Sequence, residues 1–232
     1  SLDTPAPGEL GVVEELLVDR AFVADPQEAA MIAELTEITP TVPHQVSNAL
    51  AAAGLSATAG IAHEKIREGL ATFTPGRHRI EEVLSHKGIR WVDDSKATNP
   101  HAATASILSH FSVIWVAGGL AKGADMEPFV DRIWSRLKAA ILIGEDRELI
   151  AHQLHLKAPE LPIFRIDAPA GYQKGSQSNE LMEEVVRKAQ QLATEGDVVL
   201  LAPACASMDQ FISYVDRGDR FAEAIKKVVN HA

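Results

Sequence analysis

At 232 residues, 46% of them apolar, the chain is long enough to bury the core of one large or two modest domains. A formal net charge of −10, from 22 Lys and Arg against 32 Asp and Glu, excludes a general nucleic-acid or anionic-membrane surface, because such partners need a basic face to displace their counterions. The longest apolar runs, 113–119 and 198–203, are strand-sized and far below the roughly 20 residues of a membrane span.

The chain opens without a start methionine or a targeting pattern. Residues 10–23 hold short β-rich runs, and the beginning reads as mid-domain. From Pro43 the composition becomes Ala-rich, and two helices are expected over 48–59 and 61–73, separated by Gly60. Thr74-Pro75-Gly76 supplies a turn or hinge, which places a domain boundary there: residues 1–75, then 76–232. Runs 80–84 and 89–92 flank His86-Lys87-Gly88 as a hairpin-like strand pair. Beyond it, strand-like runs at 112–117, 139–143, 162–166 and 198–202 alternate with helical stretches near 99–109, 127–138, 146–155 and 178–194, and a last helix begins near Arg217. The fold class is therefore α/β, a mostly parallel sheet with helices on both faces, and its ligands should bind at the carboxyl ends of the strands. Residues 167–177, rich in Pro, Gly and Ser, read as an exposed loop.

Three segments leave strand ends and enter helices: Asp93-Asp94-Ser95-Lys96-Ala97-Thr98-Asn99-Pro100, Gly118-Gly119-Leu120-Ala121-Lys122-Gly123, and Pro203-Ala204-Cys205-Ala206-Ser207-Met208-Asp209-Gln210-Phe211. Ser207 with Gln210 three residues on is a capping-box pattern, which puts Ser207 at a helix N-terminus able to attract an anion; the bland reading is a cap alone. Gly118-Gly119 lets a backbone pass close to a neighbour, and Lys122 offers a point charge, but the spacing is neither the dinucleotide fingerprint nor the phosphate loop. Asp93-Asp94 suits a metal, a ribose or the capping of the following helix, with capping or solvation favoured on residue type alone. Gly76-Arg77-His78-Arg79 suits a phosphate between domains or, equally, a solvated basic turn. The single cysteine, Cys205, excludes an internal disulfide and reads as core filler, and the nine histidines match no structural zinc spacing. A reducing cytoplasm is the default compartment.

In order and spacing, four of these pieces resemble the D-glutamate-adding branch of the Mur ligase family. They are His78-Arg79-Ile80-Glu81, the run Asp94 to Pro100, the Gly-Gly-x-x-Lys element, and Pro203-Ala204-Cys205-Ala206-Ser207-x-Asp209-Gln210-Phe211. His44-Gln45-Val46-Ser47-Asn48 and Arg217-Gly218-Asp219-Arg220-Phe221 extend the likeness over essentially the whole chain. The resemblance implies a bacterial cytoplasmic ligase of peptidoglycan synthesis that joins D-glutamate to UDP-N-acetylmuramoyl-L-alanine through an acyl phosphate, using ATP and Mg2+, and that works as a monomer. It also implies that 1–75 is the end of a central ATPase domain and 76–232 a Rossmann-like amino-acid-binding domain. By motif match, Thr98, Lys122, Ser207, Met208 and Tyr214 form the D-glutamate pocket, while Asn48, Arg79, Asp94 and Lys96 meet the nucleotide. Gln45 stands where many members have Asn, and Tyr214 where Phe is common. The phosphate loop, the magnesium ligands and a modified lysine would lie upstream, so no catalytic residue falls within this stretch, which alone is expected to be inactive.

The same architecture is shared by other Mur ligases and folylpolyglutamate synthases, but the run Asp-Ser-Lys-Ala-Thr-Asn argues against them. A dinucleotide-dependent oxidoreductase is suggested only by the β/α alternation, and the absent glycine fingerprint counts against it. A non-catalytic binding module is the third reading.

Overall fold

The computed structural model describes residues 1–25, 27–174 and 178–229 and divides into two compact units, Ser1–Gly76 and Arg77–Ala232. In the first unit, strands β1 (Leu10–Val13), β2 (Leu16–Asp19) and β3 (Ala30–Glu34) form an antiparallel sheet in that order. The β-rich start thus pairs within its own unit, and β3 is a strand that the sequence pattern does not reveal. Helix α1 (Pro43–Thr58) begins on a proline that needs no hydrogen-bond acceptor in the first turn, five residues earlier than expected. Helix α2 (His63–Thr72) comes next, and its Ile66 packs with Val46, Leu50 and Ala53 of α1 against Leu17 and Ile32 of the sheet.

The second unit is a six-stranded sheet in the order β4-β5-β9-β6-β7-β8. Its strands are β4 (Glu81–His86), β5 (Ile89–Asp93), β6 (Val113–Gly118), β7 (Leu137–Ile143), β8 (Ile163–Arg165) and β9 (Val198–Leu201). Only the β4–β5 hairpin is antiparallel; β5, β9, β6, β7 and β8 run parallel, so their carboxyl ends share one edge. Every residue of β6 and β9 is buried, as expected of a sheet covered on both faces.

The two faces separate by the period of two. Trp115, Ala117, Ala140, Leu142, Val198 and Leu200 point to one side, where α3 (Pro100–Leu108), α4 (Glu127–Ile133) and α5 (Arg147–Lys157) pack. Ile114, Val116, Ile141, Ile143, Val199 and Leu201 point to the other, against α6 (Ser178–Leu192) and α7 (Tyr214–Val228). On α6 the buried residues Leu181, Met182, Val185, Val186 and Ala189 recur at helical spacing and form one stripe.

Expected boundaries also move in the second unit. The helix expected over 127–138 ends at Ile133 and passes through a 3-10 turn at Trp134–Arg136, after which 137–138 join β7, extended by pairing with β6. The last helix starts at Tyr214, not near Arg217. The expected loop over 167–177 has no regular structure through 174, and residues 175–177 lie outside the described residues. Among the described residues no helix is long and apolar enough to cross a membrane.

Candidate functional site

The carboxyl ends of β5, β9 and β6, three neighbouring strands, send their loops to one place. Backbone hydrogen bonds stitch those loops together: Ala204 N donates to Ala97 O at 3.0 Å, Gly118 N to Pro203 O at 2.9 Å, and Leu120 and Ala206 exchange a reciprocal pair at 2.9 Å. Thr98, Lys122 and Ser207 stand one, two and one residues beyond these stitches, so the structure brings them to the same edge. Gly119 makes the approach possible. Its φ is +128°, and a Cβ there would lie 2.1 Å from Ala206 O.

A buried guanidinium underlies the three loops. Arg217 on α7 is 0% exposed; its Nε donates to Ser95 Oγ at 3.0 Å, Nη2 to Ser95 O at 3.0 Å, and Nη1 to Cys205 O at 3.2 Å and Gly118 O at 3.4 Å. One side chain therefore satisfies a carbonyl from each strand-end loop. Burial pushes its pKa down to about 10, which leaves it charged at neutral pH. Ser95 Oγ in turn donates to Tyr214 O at 2.7 Å and ties the first turn of α7 to the β5 loop. Local motifs give Arg217 no role. A cation on the stripe occupied by Phe221, Ala224 and Ile225 was the available signal.

A second buried pair holds the same loop from the other side. His78 Nδ1 lies 2.7 Å from Asp93 Oδ2, and both side chains are almost wholly buried; the Asp93 carboxylate raises the His78 pKa above its ordinary value. Asp93 Oδ1 accepts from Ser95 N at 2.8 Å. Arg77 pairs with Asp219 at 2.6 Å. In the basic segment at 77–79, His78 is buried and paired, while Arg77 and Arg79 are exposed, Arg77 in an ion pair with Asp219.

Asp94 and Lys96 sit on the β5 loop. Asp94 is 7% exposed, and burial pushes its carboxyl up to about 6 against the opposing pull of Ser106 and the Ile80 amide. Neither acid caps α3; Asn99 does, its side chain accepting from Ala102 N at 3.0 Å. The Lys96 ammonium lies 4.2 Å above the Tyr214 ring, so a residue expected at the nucleotide and one expected at D-glutamate are in contact. Met208 is exposed. Asn48 stands on α1 of the first unit, bonded to Gln45 at 2.8 Å, and lines a cavity of about 360 Å³ between α1 and α2.

The capping-box expectation at Ser207 is overturned. Ser207 O accepts from Gln210 N and Phe211 N in a single turn that does not continue. The helix is capped instead by Ser213, which accepts from Asp216 N at 3.1 Å while Asp216 accepts from Ile212 N at 3.1 Å. The difference lies in the residues C-terminal to each serine: a cap starts a helix only where an amphipathic stripe continues it, and that stripe begins at Arg217. Asp209 reaches across to Glu145 N at 2.9 Å. Cys205 is buried, and burial pushes its thiol up to about 12, in keeping with core filler.

Only one group of three potential metal ligands occurs among the described residues, His78, Glu81 and Asp93. Two of them are already engaged, His78 Nδ1 with Asp93 Oδ2, and the Glu81 carboxylate accepts from the His78 backbone N at 2.8 Å. An imidazole-containing, closed set does not fit Mg2+, which prefers oxygen ligands in an octahedron.

Residues 78–205 match the family model described as "Mur ligase, glutamate ligase domain". The chain is 48% identical over 229 residues to UDP-N-acetylmuramoylalanine–D-glutamate ligase of Streptomyces coelicolor, and 49% identical over 227 residues to the protein of the same name in Thermobifida fusca. These alignments take in 98% and 97% of the chain but 47% of each relative, so the chain spans about half the length of the curated relatives it matches. The fold matches a pseudomurein peptide ligase type C from Methanothermus fervidus, with a TM-score of 0.60 and 20% identity over 97% of this chain and 42% of that one. It also matches the UDP-N-acetylmuramate-alanine ligase MurC of Thermotoga maritima, with a TM-score of 0.57 and 15% identity over 91% and 42%. The family match over more than half of its residues, on the fold and strand-end loops described above, shows that this chain belongs to the Mur ligase family.

Proposed function

We propose that the whole enzyme joins D-glutamate to UDP-N-acetylmuramoyl-L-alanine in the bacterial cytoplasm, with ATP and Mg2+, as a step of peptidoglycan synthesis, and that residues 76–232 are the domain that brings the amino acid. The observation that carries this reading is the stitched edge at β5, β9 and β6. It gathers Thr98, Lys122 and Ser207, two hydroxyls and a cation of the kind suited to a dicarboxylate. The names of the relatives at 48% and 49% identity support D-glutamate over the substrates of other Mur ligases or of folylpolyglutamate synthases.

In this reading Thr98, Lys122, Ser207, Met208 and Tyr214 hold D-glutamate, while Arg79, Asp94 and Lys96, with Asn48 of the first unit, meet the nucleotide. Residues 1–75 belong to the ATP-binding domain. ATP supplies the activation of the acceptor carboxylate as an acyl phosphate. Mg2+ takes its ligands from outside the described residues. The contribution of this domain is positioning: it holds the amine of D-glutamate beside the activated carboxyl and converts a bimolecular encounter into an oriented one.

The test is phosphate release by the full-length enzyme with ATP, Mg2+ and UDP-N-acetylmuramoyl-L-alanine, comparing D-glutamate, L-glutamate, L-lysine and no amino acid. The expected result is release with D-glutamate alone, lost in Lys122→Ala. Release driven by another amino acid overturns the specificity, and silence with all of them favours a binding module.

A further inference from the structure

Beyond the three strand-end loops, a fourth segment reaches the same edge. The loop after β8 sends Tyr172 and Lys174 onto the β9 loop: the Tyr172 hydroxyl donates to Gln210 O, and Lys174 Nζ donates to Met208 O at 2.5 Å. Both acceptors are main-chain carbonyls of the irregular turn that carries Ser207 and Met208.

The charges at this edge are unevenly compensated. Arg147 is paired with Asp167 at 2.5 Å, Arg220 with Asp216 at 3.2 Å, and Lys96 lies on the Tyr214 ring. Among the described residues, Lys174 contacts a neutral carbonyl and no carboxylate within ion-pair distance, and Lys122 likewise has no carboxylate partner. Both lysines are exposed, and both are placed by contacts to one short segment, 206–208. Lys122 lies just past the Leu120–Ala206 bridge, and Lys174 is seated on Met208 O, two residues along from Ala206. An amino acid with two carboxylates presents two negative charges, and a neutral side chain in its place presents one.

We propose that Lys174 is a specificity-determining residue of the amino-acid pocket: it supplies the second cation, so that Lys122 and Lys174 divide the two carboxylates of an acidic amino acid between them. This rests on the reading of the enzyme as a D-glutamate ligase. Lys174 then selects for the distal charge. The electrostatic gain of an exposed ammonium beside a carboxylate is modest and falls with salt, which makes selectivity and KM the properties to read.

The experiment uses the full-length enzyme and measures kcat and KM for D-glutamate and for D-glutamine in wild type, Lys174→Gln, Lys174→Met and Lys174→Arg. Glutamine keeps a donor for Met208 O but no charge, so it separates a cation from a mere strap. The expected result is a KM for D-glutamate raised about tenfold in Lys174→Gln and Lys174→Met. The KM values for ATP and the nucleotide substrate stay unchanged, the preference for D-glutamate over D-glutamine shrinks, and Lys174→Arg restores both. If Lys174→Gln matches wild type while Lys174→Met is impaired, the side chain is a strap and the proposal fails. Unchanged KM and preference in all variants sink it as well, leaving the ligase reading intact. A wild-type enzyme that does not respond to D-glutamate overturns both.

Discussion

Arg217 and Ser95 are bonded twice, Nε to the hydroxyl and Nη2 to the carbonyl, each at 3.0 Å, although 122 residues separate them. This pair fixes the β5 loop to α7, and the remaining guanidinium nitrogen extends the tie to Gly118 O and Cys205 O. Replacing Arg217 by Met keeps most of the stem and removes every donor. Buried acceptors from three loops are then unsatisfied, at about 1 kcal/mol or more each. A well-packed apolar substitute recovers part of the cost of burying a lone charge. The acceptors outnumber that gain, and Arg217→Met is expected to lose about 3 kcal/mol in urea unfolding. Arg217→Lys is expected not to rescue it, since one ammonium cannot span three loops.

Gly218 comes directly after Arg217 on the helix and lies under the His78–Asp93 pair. A Cβ there would sit 2.2 Å from His78 Nδ1 and 2.6 Å from Asp93 Oδ2. Alanine gains up to about 1 kcal/mol of helix propensity. It also forces apart two buried groups at 2.7 Å, an overpacking cost of about 1–3 kcal/mol. The clash is with rigid, buried atoms, so Gly218→Ala is expected to be net destabilising by about 1–2 kcal/mol. A calorimetric midpoint equal to or above wild type would show that the pair has room to move.

The parallel core was legible because β6 and β9 are continuous apolar runs and α6 has a clean stripe. The site was legible only as segments. Local motifs placed Thr98, Lys122 and Ser207 after strands. They did not reveal Arg217 as the link, because a bond spanning 122 residues leaves no local signature. The Ser207–Gln210 box misled for a related reason: two serines six residues apart both fit a cap, and only tertiary burial of Phe221, Ala224 and Ile225 decides which helix forms. β3 escaped notice because its pattern, with only Ile32 and Ala33 buried, is too short to declare a period.

Tyr214 stands under the Lys96 ammonium, 4.2 Å from the ring centroid. The ring face provides that contact, and the hydroxyl does not. Tyr214→Phe is therefore expected to leave kcat and the KM values for D-glutamate and the nucleotide substrate of the full-length enzyme within about twofold. Tyr214→Ala, which removes a cation–π contact of about 0.5–1 kcal/mol together with its packing, is expected to raise KM severalfold. A Phe variant as impaired as the Ala variant would transfer the role to the hydroxyl.

Two buried titratable groups oppose each other across the same pH range. Burial pushes Asp94 up to about 6 from 3.8, so the fold favours its protonated form, and the stability it lends is full below about 4 and lost as pH rises through 6. His110 is 6% exposed, and burial pushes it down to about 4 from 6.5; its neutral form favours folding above about 6.5, and that contribution is lost as pH falls through 4. Each shift corresponds to about 3 kcal/mol, with opposite slopes, so these two groups nearly cancel between pH 4 and 6 in the wild type. Single substitutions break the cancellation. Asp94→Asn is expected to be more stable than wild type at about pH 7.5 and to lose stability steeply toward pH 4. His110→Leu removes the acid-side loss and is expected to show stability falling as pH rises from about 4 to 6. Urea midpoints measured across that range decide it: parallel pH profiles for wild type and both variants would mean that neither group titrates as its burial demands.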